Sequence, residues 1–179
     1  MKKNILAIDP GGTTVMATIK SSPWLQISQY QKFNVDSCHF GTFKKRLRTC
    51  LSRADIVLVE EFTMSKQQTK TAKTKYYREF SQAVYMEVLG ETNENHLIVI
   101  PTTFTGVLRK NLRRIWPLIG QGDLPRHLYS PHNDHVLDCI ILALQYEFPL
   151  LVKMILSSLD EMGLTTIGIE PKYEIIKRP

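Results

Sequence analysis

The sequence predicts an α/β protein built on one mixed sheet: an antiparallel meander first, then strands added in parallel through helical crossovers. Three observations carry this. Three β-patterned segments open the chain with short connections between them. Segments of strand period and helix period then alternate. The two later strand candidates are short apolar runs, each lying between helical stretches.

Asn4 to Asp9 reads as a buried strand, closed by Pro10-Gly11-Gly12. Thr14 to Lys20 alternates, with Val15, Ala17 and Ile19 on one face, as a half-buried strand does. Trp24 to Tyr30 is a third strand of less regular alternation. The short links between the three favour antiparallel hairpins. Phe40, Phe43, Leu47 and Leu51 recur at helical spacing. Ile56 to Val59 is a continuous apolar run ending in Glu60 and Glu61, which suits a central strand covered on both faces. Ala72, Tyr76, Phe80, Val84 and Val88 form a helical stripe, with Gly90 as its expected cap. Leu97 to Ile100 is a strand ended by Pro101. Phe104, Val107, Leu108, Leu112, Ile115 and Ile119 mark a helix. After a loop at Gly120 to Pro131, Val136, Ile140, Ile141 and Leu144 mark another. Leu151, Met154, Ile155, Leu159 and Met162 mark the last, followed by Gly163.

The 179 residues fit one domain, 1–179, with a C-terminal helix and tail at about 148–179. Apolar residues make up 43% and charged residues 22%, the balance of a soluble globular protein. No stretch reaches the roughly 18 apolar residues of a membrane span, so no membrane partner is expected. The net charge of +6 and pI of about 9.2 favour a polyanionic partner, because cations placed on phosphates release counterions. Three cysteines, Cys38, Cys50 and Cys139, lie far apart. That count and spacing argue against a disulfide framework and a cysteine zinc site, and fit a reducing cytosol.

Three acidic features end apolar elements: Asp9, Glu60, and Asp138 in the first turns of an apolar helix, beside His135 and Asp134. Carboxylates so placed cost desolvation energy unless something compensates them. A turn or cap hydrogen bond is one compensation. A divalent metal is the other, and hard oxygen ligands suit Mg²⁺ or Mn²⁺. Two such ions roughly 4 Å apart can hold both the attacking and the leaving oxygens of a phosphodiester. If the first and fourth strands are neighbours, Asp9 and Glu60 meet. His135 and Asp138 share a helix face, as do Asp134 and Asp138. Zinc on His132, His135 and Asp138 is a further reading, with no second cluster to complete the site. Asp134 also suits a first-turn carboxylate favoured by the helix dipole.

At these residues the chain resembles the RuvC-type Holliday junction resolvases. Ile5-Leu6-Ala7-Ile8-Asp9-Pro10-Gly11 is similar to their opening strand. Leu58-Val59-Glu60-Glu61-Phe62 resembles their apolar-Glu strand end, and His135-Val136-Leu137-Asp138 with the apolar run after it resembles their closing helix. The three motifs stand in family order across residues 5 to 144. The resemblance implies an RNase H-like fold with a five-stranded mixed sheet. It implies a Mg²⁺-dependent homodimer that cuts opposed strands of a four-way DNA junction, with Mn²⁺ as substitute and no nucleotide cofactor. Asp9, Glu60, His135 and Asp138 would hold the metals, with Asp134 as the competitor. Gly11 and Gly12 would let the backbone turn closely beside them.

Two basic groups are candidate DNA contacts. Lys66, Lys70 and Lys73 form a stripe continued by Lys75 and Arg78. Arg109, Lys110, Arg113 and Arg114 form the second. Either can neutralise phosphates or simply be a solvated helix face. Phe62 is a candidate for stacking on unpaired bases or for core packing. The family's Gly-rich segment before the closing helix finds only a loose echo in Gly120-Gln121-Gly122-Asp123, ending at Arg126. That departure bears on the junction-specific contacts more than on the metal site, and between a phage and a bacterial source it favours phage, in either case in a bacterial cytoplasm. The competing functions are another RNase H-like nuclease acting on branched DNA or structured RNA, a phosphate-binding fold of the sugar-kinase and actin kind, whose first loop Asp9-Pro10-Gly11-Gly12-Thr13 resembles, and a non-catalytic DNA-binding module.

Overall fold

In the computed structural model, which describes residues 2–61, 72–93, 96–101, 105–129 and 133–161, five strands form one sheet. They are β1 (Lys3–Asp9), β2 (Thr13–Ser21), β3 (Leu25–Asn34), β4 (Ile56–Glu60) and β5 (Leu97–Ile100), in the order β3-β2-β1-β4-β5. β1 pairs antiparallel with β2, and β2 with β3; β4 lies parallel to β1, and β5 parallel to β4. The expected meander with parallel additions is therefore present. Five helices flank it: α1 (Phe40–Leu51), α2 (Ala72–Glu91), α3 (Thr105–Ile119), α4 (Asp134–Glu147) and α5 (Pro149–Glu161). Among the described residues no single helix is long and apolar enough to cross a membrane.

Strand alternation sorts the core into two layers. Ile5 and Ala7 of β1 and Leu58 of β4 pack with α3, α4 and α5. Leu6, Ile8, Val57 and Val59 pack on the other face with α1 and α2. Helix α4 is buried from Val136 to Gln145 and sits centrally on its layer. It is apolar all round because the sheet lies on one side and α3 and α5 on the other.

Several boundaries and stripes differ from the sequence pattern. The third strand runs on to Asn34, held by its register with β2, and Trp24 lies just before it, 46% exposed. Gly90 is not the cap; α2 continues to Glu91, whose carboxylate takes a fork of bonds from Arg48 at 2.6 and 3.0 Å. The buried stripe of α2 is Ser81, Val84 and Val88, which turns Tyr76 out to 53% exposure. On α5 the buried positions are Val152, Leu156 and Leu159, so Met154 faces outward rather than into the core. The Gly120–Gly122 turn is a packing device at the Lys3 end of the sheet. Gly120 bridges to Leu25, which is opposite Ser21, which is opposite Lys3. A Cβ on Gly120 would stand 2.0 Å from the Trp116 ring, and Trp116 Nε1 donates to Gly122 O at 2.9 Å. Asp9 ends β1 at the opposite end.

A candidate metal centre at the carboxyl ends of the central strands

Period two decides which acidic residue enters the site. Asp9 continues the Ile5–Ala7 parity of β1, and Glu60 continues the Leu58 parity of β4, so both carboxylates point to the face covered by α4. Ile8 is in register with Val59, which sets Asp9 and Glu60 side by side at adjacent strand ends. Glu61 has the opposite parity and is exposed. From above, α4 brings His135 and Asp138, one turn apart.

Ligand atoms of Asp9, His135 and Asp138 lie within 4.8 Å of one another. The Asp9 and Asp138 side chains are nearly sealed, and their residues are 4% and 5% exposed. His135 Nδ1 shares a proton with Asp9 Oδ2 at 2.6 Å. Glu60 comes within hydrogen-bonding reach of Asp9 and accepts from the Thr105 hydroxyl at 3.1 Å. Arg109 of α3 reaches in from the side, with Nε 2.9 Å from Asp138 Oδ1 and Nη1 3.1 Å from Asp134 Oδ2. Close approach is made possible by glycine: a Cβ on Gly11 would lie 3.3 Å from His135 Cε1, and one on Gly12 3.3 Å from the Tyr77 ring.

Crowding of like charge in a dry place shows in the acid strengths. Burial, then the Asp9 and Asp138 charges, push Glu60 up to about 8. Burial is also the first cause at Asp138, raised to about 7, and Arg109 only partly opposes it. The hydrogen bond to Asp9 raises His135. The donor set suits a hard divalent cation: carboxylate oxygens plus one imidazole. The decisive observation is Asp138 Oδ1, a buried carboxylate oxygen that has no well-aligned hydrogen bond despite its contact with Arg109. A metal ion would satisfy it.

The site residues expected from sequence thus divide clearly. Asp9, His135 and Asp138 form one cluster, and Glu60 adjoins it through Asp9. Asp134 stands outside the cluster, 43% exposed and paired with Arg109, because one residue turns it about 100° around α4 from His135. On α3, Lys110, Arg113 and Arg114 are exposed, and Arg113 follows Arg109 on one helix edge. Arg78 is half-buried on α2. Phe62, Lys66, Lys70, Phe104, His132, Met162, Gly163, the rest of the C-terminal tail and the side chain of Lys73 lie outside the described residues. Arg109 and Thr105 are the contacts that sequence reasoning did not single out. Arg109 was one of four neighbouring cations, and only the packing of α3 on α4 distinguishes it.

No family model and no curated protein matches the chain. Solved structures do. The chain is similar to the RuvC of T. thermophilus in complex with a Holliday junction substrate, with 13% identity and a TM-score of 0.55 over 82% of this chain and 96% of that one. It is similar to the Fowlpox virus resolvase in complex with Holliday junction DNA, with 16% identity and a TM-score of 0.48 over 83% and 99%. It is also similar to the yeast mitochondrial Holliday junction resolvase, with 11% identity and a TM-score of 0.48 over 78% and 75%. The first of these establishes the architecture as the RuvC-type, RNase H-like fold.

Proposed function

We propose that this chain is a divalent-metal-dependent endonuclease that cuts branched DNA, with the four-way junction as its preferred substrate. One observation carries the reading: Asp9, His135 and Asp138, distant in sequence, bring ligand atoms within 4.8 Å of one another in a nearly sealed place, with Glu60 beside Asp9. The RuvC-type fold supports it, as does the +6 net charge.

Mg²⁺, with Mn²⁺ as substitute, is the proposed cofactor; when bound it supplies the charge that polarises a phosphodiester and makes a water acidic. Asp9, His135 and Asp138, with Glu60 beside Asp9, would hold it. His135 orients the Asp9 carboxylate through Nδ1 and leaves Nε2 to hold a ligand or a proton. Strands β1 and β4 fix the Asp9 and Glu60 carboxylates from below, so their positions do not have to be ordered at the moment of reaction. Lys110, Arg113 and Arg114, with Arg78, carry charge for the phosphates of the arms; Lys66, Lys70 and Lys73 are proposed DNA contacts from sequence alone. Two opposed cuts require two sites, so the working form proposed is a homodimer, acting in the cytoplasm.

A synthetic four-way junction tests this directly. Incubation with Mg²⁺ is expected to yield paired nicks, with none in EDTA and slower cutting of plain duplex. Equal or faster cutting of structured RNA would move the assignment to another RNase H-like nuclease, and no metal-dependent cutting of any substrate would remove it.

A further inference from the structure

Each carboxylate of the site has its own partner. Asp9 has His135, Glu60 has the Thr105 hydroxyl, and Asp138 has Arg109. The Arg109 contact is unlike a permanent ion pair. An arginine built to hold one carboxylate presents two parallel N–H groups to it. Here the guanidinium is split between Asp138, nearly sealed, and Asp134, 43% exposed. Its Nε and Asp138 Oδ1 stand 2.9 Å apart, yet neither makes a well-aligned hydrogen bond. The side chain is 31% exposed, and Lys110 and Arg113 lie on the solvent side of the same helix.

From this geometry we infer that Arg109 is an exchangeable counter-ion. It neutralises Asp138 while no divalent cation is bound, and it yields Asp138 Oδ1 when one binds. Asp134 is the partner that keeps the guanidinium at the rim after the exchange, close to Lys110 and Arg113 and free to meet a phosphate. Arg109 is thus a positioning residue, acting through Asp138. The inference rests on the metal reading above and adds a competitor to it.

Competition has a sign that a merely structural clamp lacks. Removing a tethered cation from a site lowers the cost of bringing in another. Mn²⁺ is titrated calorimetrically into the full chain without DNA at about pH 8, where the carboxylates ionise. Wild type is compared with Arg109→Gln and Arg109→Lys. Arg109→Gln is expected to bind Mn²⁺ about tenfold more tightly than wild type, within the usual range of coupling between two sites. Its melting temperature in EDTA is expected to fall, and to recover with Mn²⁺. Arg109→Lys keeps the charge but not the fork, and is expected between the two. It also supplies the comparison if Arg109→Gln does not fold in EDTA: tighter binding than wild type supports the inference, and equal binding overturns it. Folded Arg109→Gln with unchanged or weaker Mn²⁺ affinity overturns this inference alone. Absence of Mn²⁺ binding by every variant overturns the metal reading with it.

Discussion

Glu60→Gln separates the cost of this site from its use. Gln has the same shape, and its oxygen can still accept from Thr105, which donates to Glu60 at 3.1 Å. What it removes is one ionisable charge. Burial, Asp9 and Asp138 raise Glu60 from 4.5 to about 8. A folded pKa above the unfolded one means stability that is complete below about pH 4.5 and is lost as pH rises through about 8. At about 1.4 kcal/mol per pH unit, the ionised carboxylate would cost the metal-free fold at most about 5 kcal/mol. Partial solvent access and sharing of protons with Asp9 and Asp138 reduce this to about 2 kcal/mol.

The comparison is thermal unfolding in EDTA from about pH 5 to pH 9, for wild type and Glu60→Gln. The variant is expected to gain on wild type as pH rises and to level off above about pH 8, roughly 4–8 °C more stable there. Adding Mg²⁺ is expected to raise the wild-type midpoint strongly and the variant's little, and the variant is expected not to cut a four-way junction. A variant less stable than wild type at about pH 9, or one that Mg²⁺ stabilises as well as wild type, would refute the account of Glu60 as a strained metal ligand.

Four other outcomes follow from the same geometry. Asp9→Asn is expected to slow junction cleavage by at least about a hundredfold while gel-shift binding of the junction persists; cutting at the wild-type rate would end the nuclease reading. Because burial pushes Asp138 up to about 7 and Glu60 up to about 8, Mg²⁺ affinity and cleavage are expected to rise from about pH 6 to about pH 9. Calorimetry in buffers of different ionisation enthalpy is expected to detect protons released on binding, and a flat profile would contradict the raised acid strengths. Gly120→Ala is expected to destabilise the fold by about 3 kcal/mol through its clash with Trp116, with the cleavage rate per folded molecule unchanged. The triple variant Lys110→Ala, Arg113→Ala, Arg114→Ala is expected to lower the salt slope of junction binding by about 2–3, and an unchanged slope would remove these residues from the interface.

Legibility in the sequence tracked the simplicity of the governing rule. A period of two along Ile5 to Asp9 and along Ile56 to Glu60 fixes parity, and parity alone sends Asp9 and Glu60 to one face and Glu61 to the other. Helix faces were harder to read. A one-residue error of phase turns a helix by about 100°, which is why Tyr76 and Met154 were placed on apolar stripes and lie outside them. Arg109 was illegible for a different reason. Its role depends on how α3 crosses α4, a tertiary fact with no periodic trace among four neighbouring cations. The Gly120–Gly122 turn shows the converse: a loose echo of a family segment turns out to be a packing device, with Gly120 demanded by the Trp116 ring and Gly122 by its φ of +71°.

The placement of charge in the site suggests how it works. The anions sit on the elements that the fold holds most firmly: Asp9 at the end of the central strand β1, and Asp138 on α4, the helix buried between the sheet and its neighbours. Their side chains are each 6% exposed. The two groups facing them are looser, with His135 40% and Arg109 31% exposed. Rigidly held carboxylates and an accessible guanidinium make exchange possible without moving the backbone. A divalent ion that enters need only displace a guanidinium toward solvent, whereas displacing a carboxylate would disturb the packed core around Ala7, Leu58 and Val136. The chain therefore folds with its charge partly neutralised, and on the proposed function its carboxylates are already placed for a metal.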